Sequence, residues 1–360
     1  MKILNRYITK TLLIYTLVVL VIWLGIYGFF NFLVEMSSVG QENYTSLSAM
    51  KYIALKMPEI AYKHASPVIL VGCVVGMGYL ATTSQLLILR VSGLSIFRLT
   101  FLTVRIALMF IFVLIVIGEM IAPLVSEMAE KSRAKDLGYS LASQSQQGFW
   151  IKDGDNYINV QKNFDGNSFS GVMLIQTNAK NEIELVITSD SANFNVDSLV
   201  FGNTDIFLID SSSNFDKISY ERRNSYSQSV SFDQDLIDSL RKEPQELTTW
   251  SIYKRIQFLD ENKMNADIYE VELYKRLVKP LTLVAMILLA MLFIFGSNRD
   301  TSLGKKLFLG IALSLSFELT TRVGAAMSIS FNINPKISAI LPSLIVMVLA
   351  IVLLRHRSSS

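Results

Sequence analysis

The sequence has one cysteine, Cys73, and two histidines, His64 and His356, in 360 residues. No disulfide framework and no Cys/His metal centre can be assembled from so few. Cys73 lies in an uncharged apolar run and reads as a small buried side chain. Charge is also scarce, at 18% of residues, against about a quarter in soluble domains. The net charge of +3 is small, and no basic patch is interleaved with aromatics, which excludes a nucleic-acid partner. Nucleotide-binding and hydrolytic motifs are missing. The nearest approach to a phosphate-binding loop, Leu303-Gly304-Lys305-Lys306, lacks both the first glycine and the hydroxyl. There is no G-x-S-x-G and no H-E-x-x-H. His64 and His356 are far apart in the chain, each near the end of an apolar run. Asp153 and Asp155 flank Gly154 as calcium ligands do, but the remaining ligands of such a loop are absent, so they read as hairpin residues. The expectation is a non-catalytic chain with no cofactor of its own.

What the sequence does contain is hydrophobicity, 51% of residues, gathered into long runs. Six are long enough to span a bilayer as helices: Thr11–Val34, Ala65–Leu89, Leu99–Ile121 ending at Pro123, Leu281–Phe295 opened by Pro280, Leu307–Ser328 and Ile337–Leu354. They do not alternate as barrel strands do. The first run is too long for a signal peptide and has no small-residue cleavage site, so it is expected to be retained. Lys2, Arg6 and Lys10, then Arg90 and Arg98, then Arg299, Lys305 and Lys306, and finally Arg355 and Arg357 lie on one side. The excess of positive charge predicts both termini in the cytoplasm and the long middle segment outside it.

From Gly148 to Asp233 short strands are expected, for example Tyr157–Gln161, Gly171–Thr177, Ile183–Ser189 and Asp205–Asp210. Breaks are expected at 153–156, 165–167 and Gly202-Asn203. That spacing suits a sandwich, jelly roll or open barrel. After Pro244 the pattern becomes helical, Leu247–Leu259 and then Ala266–Lys279, the latter at the interface. The predicted fold is an α+β membrane protein: six transmembrane helices with a periplasmic β-jelly-roll-like domain inserted between helices 3 and 4. The boundaries are 1–124, with a cytoplasmic segment 83–97, then 125–245, a helical connector 246–279, and 280–360.

Three features carry functional information. Glu318 and Arg322 are four residues apart on one face of the fifth span, deep in the bilayer, where charges usually face a bundle interior or a wet path. They line a cavity for an anionic amphiphile or form a structural salt bridge; Arg322 can also snorkel outward. The segment Ser84–Gly93, with a Ser84 cap and a Gly93 stop, is too apolar for a solvated loop. It docks a cytoplasmic partner or extends the second span. Ser126–Asp136 reads as a charged helix, either with a solvated face or with Arg133 contacting phosphorylated lipid.

Taken in order, the motifs resemble one family. They are Arg6-Tyr7-Ile8, Ser84–Gly93, Gly118-Glu119-x-x-Ala122-Pro123, Met128-Ala129 with Arg133-Ala134, and Gln146-Gln147-Gly148-Phe149-Trp150-Ile151-Lys152-Asp153-Gly154-Asp155-Asn156. Pro280-Leu281, Phe293-Ile294-Phe295-Gly296, Gly304, Gly310 and Leu341-Pro342 complete the set. The chain is similar to the lipopolysaccharide-export permeases LptF and LptG, and more to the LptG branch. The resemblance implies six spans plus a jelly roll, an LptF-like partner subunit, and two copies of an LptB-like cytoplasmic ATPase that holds the ATP and magnesium. It also implies a bridge of LptC- and LptA-like jelly rolls that receives lipopolysaccharide. It places Glu318 and Arg322 beside the lipid cavity and makes Ser84, Gln85, Leu86, Leu87, Leu89 and Arg90 the ATPase-coupling residues. Two positions depart from the family pattern. Gln85 stands where an acidic coupling residue is usual, and Asn31, Ser37 and Ser38 occupy the region where lysines can meet lipid phosphates. The phosphate contacts then fall to Arg133 and Arg322, or the lipid A is less phosphorylated. The alternatives are an LptF-like subunit, an exporter of another anionic glycolipid, or a non-transporting adaptor whose strand domain binds periplasmic proteins.

Overall fold

The computed structural model describes residues 2–138, 149–163, 167–178, 180, 182–195, 197–210, 217–233, 236–237, 242–296, 303–331 and 333–359. The predicted motif residues Gln146–Gly148, the turn residues 165–166 and the basic residue Arg299 lie outside the described residues. The chain divides into two compact units. The first comprises Met1–Ser37, Ala49–Ala129 and Glu270–Ser360, and the second Ser38–Ser48 and Glu130–Tyr269.

Among the described residues, six helices are long and apolar enough to cross a membrane. The chain runs α1 (Lys2–Glu35), α2 (Ser46–Lys63), α3 (Ala65–Thr82), α4 (Gln85–Val91), α5 (Ile96–Val116) and α6 (Ala122–Asp136). After the strands come α7 (Thr249–Glu261), α8 (Asp267–Gly296), α9 (Leu303–Phe331) and α10 (Pro335–Ser359). α3 is apolar on all sides and buried on nearly all, as expected of a central helix. Ile69, Leu70, Val74 and Met77 of α3 share one core cluster with Leu283, Met286, Ile287 and Met291 of α8. In lipid, apolar surface alone does not drive helices together; close packing and small residues do. Gly76 accordingly lies under Leu12 of α1, and Gly310 of α9 under Leu70. Hydroxyl pairs add polar contacts, Thr282 with Ser343 at 2.6 Å between α8 and α10, and Ser338 Oγ donating to the Gly324 carbonyl at 2.7 Å.

Several predicted boundaries change. The second span ends at Thr82 rather than Leu89, because Ser84 adopts a left-handed conformation (φ 59°) and starts α4 as a separate helix. Ser84 does not cap α4 with its side chain, although Gly93 (φ +91°) does end it, with Leu94 N–H donating to the Leu89 carbonyl at 3.2 Å. The third span does not end at Pro123. A five-residue π-turn, Ile117–Ile121, joins α5 to α6, and its Ala122 N–H bonds the Ile117 carbonyl. The wide turn admits a proline that has no N–H and whose ring would press on the carbonyl four residues earlier. Pro280 likewise lies inside a single helix, α8, instead of opening a new one. α2, which contains Pro58, lies between the first two predicted spans, where no element was expected.

The second unit is built on one antiparallel sheet whose strands pair in chain order: β1 (Phe149–Asp153), β2 (Asn156–Asn163), β3 (Ser168–Thr177), β4 (Ile183–Asn195), β5 (Ser198–Asp210) and β6 (Lys217–Ser229). Gly154, with φ +61°, and Asp155 make a two-residue hairpin loop between the paired Asp153 and Asn156. Gly202-Asn203 is not a break but lies within β5. There the sheet turns over on itself. Burial falls on Leu185, Ile187 and Ser189 of β4 but then on Ala192, and on Thr204 and Ile206 of β5 but on Leu199 and Phe201. The parity switches along the line Gly171, Asp190, Asn203, and Gly171 and Asn203 have positive φ (61° and 50°). A left-handed residue rotates the following side chains to the other face, so one apolar inner surface continues through the bend. Val230, Phe232, Leu236 and Ile237 fill that surface, with Phe258 of α7 packed against them. Asp153 holds this filling segment, its carboxylate accepting from the Ser231 backbone N–H at 2.9 Å and from the Ser231 hydroxyl. Gly154 N–H donates to Asn262 Oδ1 at 2.7 Å.

Candidate functional site in the membrane unit

α1 turns much of its length away from the core, exposing Leu17, Val21, Ile22, Phe29 and Phe30. On it opens a groove of about 410 Å³ lined by Trp23, Ile26, Tyr27, Phe30, Asn31 and Val34. Asn31 thus lies in the groove, with its Nδ2 donating to the Tyr27 carbonyl of its own helix at 2.8 Å. Trp23 Nε1 is buried and has no hydrogen-bond partner among the described residues. The His64 ring, at the start of α3, stands 4.8 Å from Tyr27 and 5.9 Å from Trp23. Burial pushes the His64 imidazole below its ordinary value; Glu318 opposes this, while Lys279, Arg322 and Lys63 add to it.

Glu318 and Arg322 pair within α9, Arg322 Nε donating to Glu318 Oε1 at 3.2 Å. The side chains are 67% exposed for Arg322 and 39% for Glu318. The pair lies within one helix and faces away from the chain's own core. Leu315, Leu319 and Val323 beside it are exposed as well. Arg133 sits on the part of α6 assigned to the second unit, so it does not belong to the same compact body as Arg322.

A second charged cluster is buried. Tyr62, near the end of α2, donates its hydroxyl to Glu119 Oε1 at 3.1 Å. Arg276 of α8 approaches Glu119 Oε2 at 3.7 Å and donates to Glu272 Oε1 at 3.2 Å. Lys279 Nζ stands 3.8 Å from the centre of the Tyr62 ring. Burial and the neighbouring Glu119 raise the Tyr62 phenol, which keeps it a donor. Further along α2, Glu59 accepts from Ser126 at 2.7 Å and pairs with Lys63 at 2.6 Å. Burial favours the neutral form of Glu59, but the Lys63 and Ser126 hydrogen bonds and the charges of Lys63 and Lys56 outweigh it and hold the carboxyl below its ordinary value.

On α4, Leu86 and Leu89 point into the chain's own core, at 7% and 8% exposure. Leu87 faces outward, joined by Ile88 and Val91. Gln85 Oε1 is buried without a hydrogen-bond partner among the described residues. Arg90 lies exposed on the same short helix.

The profile described as lipopolysaccharide export system permease LptF/LptG matches residues 6–356. The chain belongs to the LptF/LptG family. It is similar to the lipopolysaccharide export system permease protein LptG of Escherichia coli strain K12, 25% identical over 357 residues, or 99% of each chain. It is also similar to LptG of Haemophilus influenzae, 24% identical over 346 residues and 96% of each chain. The pair on α9 and the groove residue Asn31 were named from depth and from the resemblance; Tyr62, Arg276 and Lys279 were not. Tyr62 comes from the stretch between the first two predicted spans and Arg276 and Lys279 from the expected interface helix, and tertiary packing brings them together with Glu119.

Proposed function

We propose that this chain is the LptG-type permease subunit of an exporter that takes lipopolysaccharide from the outer leaflet of the inner membrane. The observation that carries the reading is the family match across residues 6–356, laid on six spans with a strand domain between the third and fourth. The outward-facing Glu318–Arg322 pair and the aromatic groove of α1 support it. Charges at that depth face a partner or a wet cavity rather than lipid tails, and the groove offers apolar walls of the kind acyl chains require. The basic residues at Arg90, Arg98 and Lys305 favour cytoplasmic termini and a periplasmic strand domain.

The chain lacks a phosphate-binding loop, so the free energy comes from ATP and magnesium on two LptB-like ATPase copies. They dock on α4 through Leu87, Ile88 and Val91, with Arg90 and Gln85 as polar contacts. An LptF-like subunit completes the cavity, and LptC- and LptA-like jelly rolls receive the lipid. Passage over the sheet's inner face requires Phe232 and its neighbours to move, since they occupy it. Depletion of the protein is expected to hold lipopolysaccharide at the inner membrane; unchanged delivery to the cell surface overturns the reading. Mild-detergent purification is expected to bring down an ATPase and a second six-span chain, and an adaptor brings down neither.

A further inference from the structure

The buried cluster around Glu119 has no part in the lipid path proposed above, and it is costly in three ways. Four ionisable side chains, those of Glu119, Glu272, Arg276 and Lys279, are partly withdrawn from water, Arg276 being 9% exposed, Glu272 17% and Glu119 22%. Such groups seldom return more stability than apolar side chains of the same size. A π-turn interrupts the helix at the same place, and turns of this kind concentrate where function depends on local geometry. Gly118, inside it, gives up a side chain altogether. A Cβ there would lie 2.2 Å from the Tyr62 ring, so the turn and the tyrosine are fitted to one another.

The cluster is balanced in charge, two carboxylates against two cations, and its connections are unequal. The Arg276–Glu119 ion pair, at 3.7 Å, is longer than the Arg276–Glu272 one. Arg276 holds Glu272 on its own helix at 3.2 Å, and Glu119 holds Tyr62 at 3.1 Å. If α8 draws away from the π-turn, Arg276 keeps Glu272 and Glu119 keeps Tyr62, while Lys279 leaves the Tyr62 ring. An ion pair whose two ends each keep a partner when it parts suits a switching element. Its position gives it leverage. Glu119 stands just before the chain leaves the membrane unit for the strands, and Arg276 just after it returns.

We propose that Arg276 and Glu119 are positioning residues for transport, forming a breakable clasp between the outgoing and returning helices that ties cavity movement to ATP turnover. The clasp rests on the exporter reading, and the test separates the two. The complete complex, with its ATPase and second permease subunit, is reconstituted in nanodiscs. Lipopolysaccharide released per ATP hydrolysed is measured with the melting temperature and the ATPase rate. Arg276→Gln and Glu119→Gln are each expected to lower release per ATP about fivefold, as mutations at coupling positions do. The double variant is expected to be no worse than either single one, Arg276→Lys to recover part of the loss, and melting to be unchanged in Glu119→Gln, where Arg276 keeps Glu272. An unchanged ratio, or a loss in Glu119→Gln that follows a fall in melting temperature, overturns the clasp. In a Cys73→Ser background, Glu119→Cys with Arg276→Cys joined by a bis-methanethiosulfonate, which forms a disulfide at each cysteine as sulfinate leaves, is expected to stop release until a reductant cuts the bridge. Release through the intact bridge also overturns it. A wild-type complex containing no ATPase fails the exporter reading instead.

Discussion

Gly72 of α3 lies against the main chain of Thr16 in α1: a Cβ at Gly72 would come within 2.8 Å of the Thr16 Cα. Backbone cannot retreat as a side chain end can, so Gly72→Ala must push the two helices apart. Overpacking of this kind costs about 1–3 kcal/mol. Thermal unfolding of the full chain in detergent should show that loss, while Gly25→Ala, where nothing lies within 4 Å, should leave the transition in place.

The outward pair on α9 should behave in the opposite way. Exposed ion pairs contribute about 0–1 kcal/mol, so Arg322→Ala is expected to leave melting nearly unchanged. If the pair lines the lipid path, lipid-stimulated ATP turnover of the complex falls. A variant that loses stability but keeps turnover would return the pair to a structural role.

Burial divides the residues of α4 into two classes. Ile88→Asp and Val91→Asp are expected to release the partner ATPase while membrane levels hold. Leu86→Asp puts a carboxylate in the core, where Leu86 is 7% exposed, and is expected to lower the amount of folded chain itself, since an unpaired buried charge is strongly destabilising. Quantifying both subunits after purification distinguishes the classes.

In the strand domain, Asp233 accepts from Lys254 Nζ at 3.0 Å. Partial burial works to raise its carboxyl, but the Lys254 hydrogen bond, the Leu236 backbone N–H and the Lys254 charge hold it below its ordinary value. A depressed acid contributes stability that is present above the unfolded value of about 3.9 and is lost as pH falls through the folded one. Hydrogen-exchange protection around residues 230–233 of the intact protein, taken relative to the intrinsic rate at each pH, should fall on acidification toward that range. Asp233→Asn should flatten the response.

Phe232 tests the lipid route. It stacks at 6.0 Å on Phe194 and meets Phe258 edge-on at 6.3 Å, sealing the inner face. A photoreactive residue in place of Phe201, which is fully buried on that face, should crosslink lipopolysaccharide only during ATP turnover if the lipid displaces the segment. Absence of crosslinks under turnover would route the lipid elsewhere.

Hydropathy alone set the spans and the strand insertion, because the bilayer demands about 20 apolar residues per helix and satisfied backbone groups. The hairpin at Gly154 was equally local, a backbone geometry that glycine supplies. Pro123 and Pro280 misled for the converse reason: a proline signals a helix end only when no π-turn or neighbouring helix accommodates it. The switch of burial parity at Gly171 and Asn203 could not be read from alternation, since a left-handed residue changes the face without changing the pattern of residue types. Leu86 and Ile88 are chemically alike, and only packing against the core made one buried and the other exposed. The sequence by itself determined which segments enter the membrane and placed Glu318 with Arg322 on one helical face. Tertiary structure decided which way that face points. It also brought Tyr62, Glu119 and Arg276 together from three separate segments, because the energies of buried charges depend on partners that spacing along the chain does not reveal.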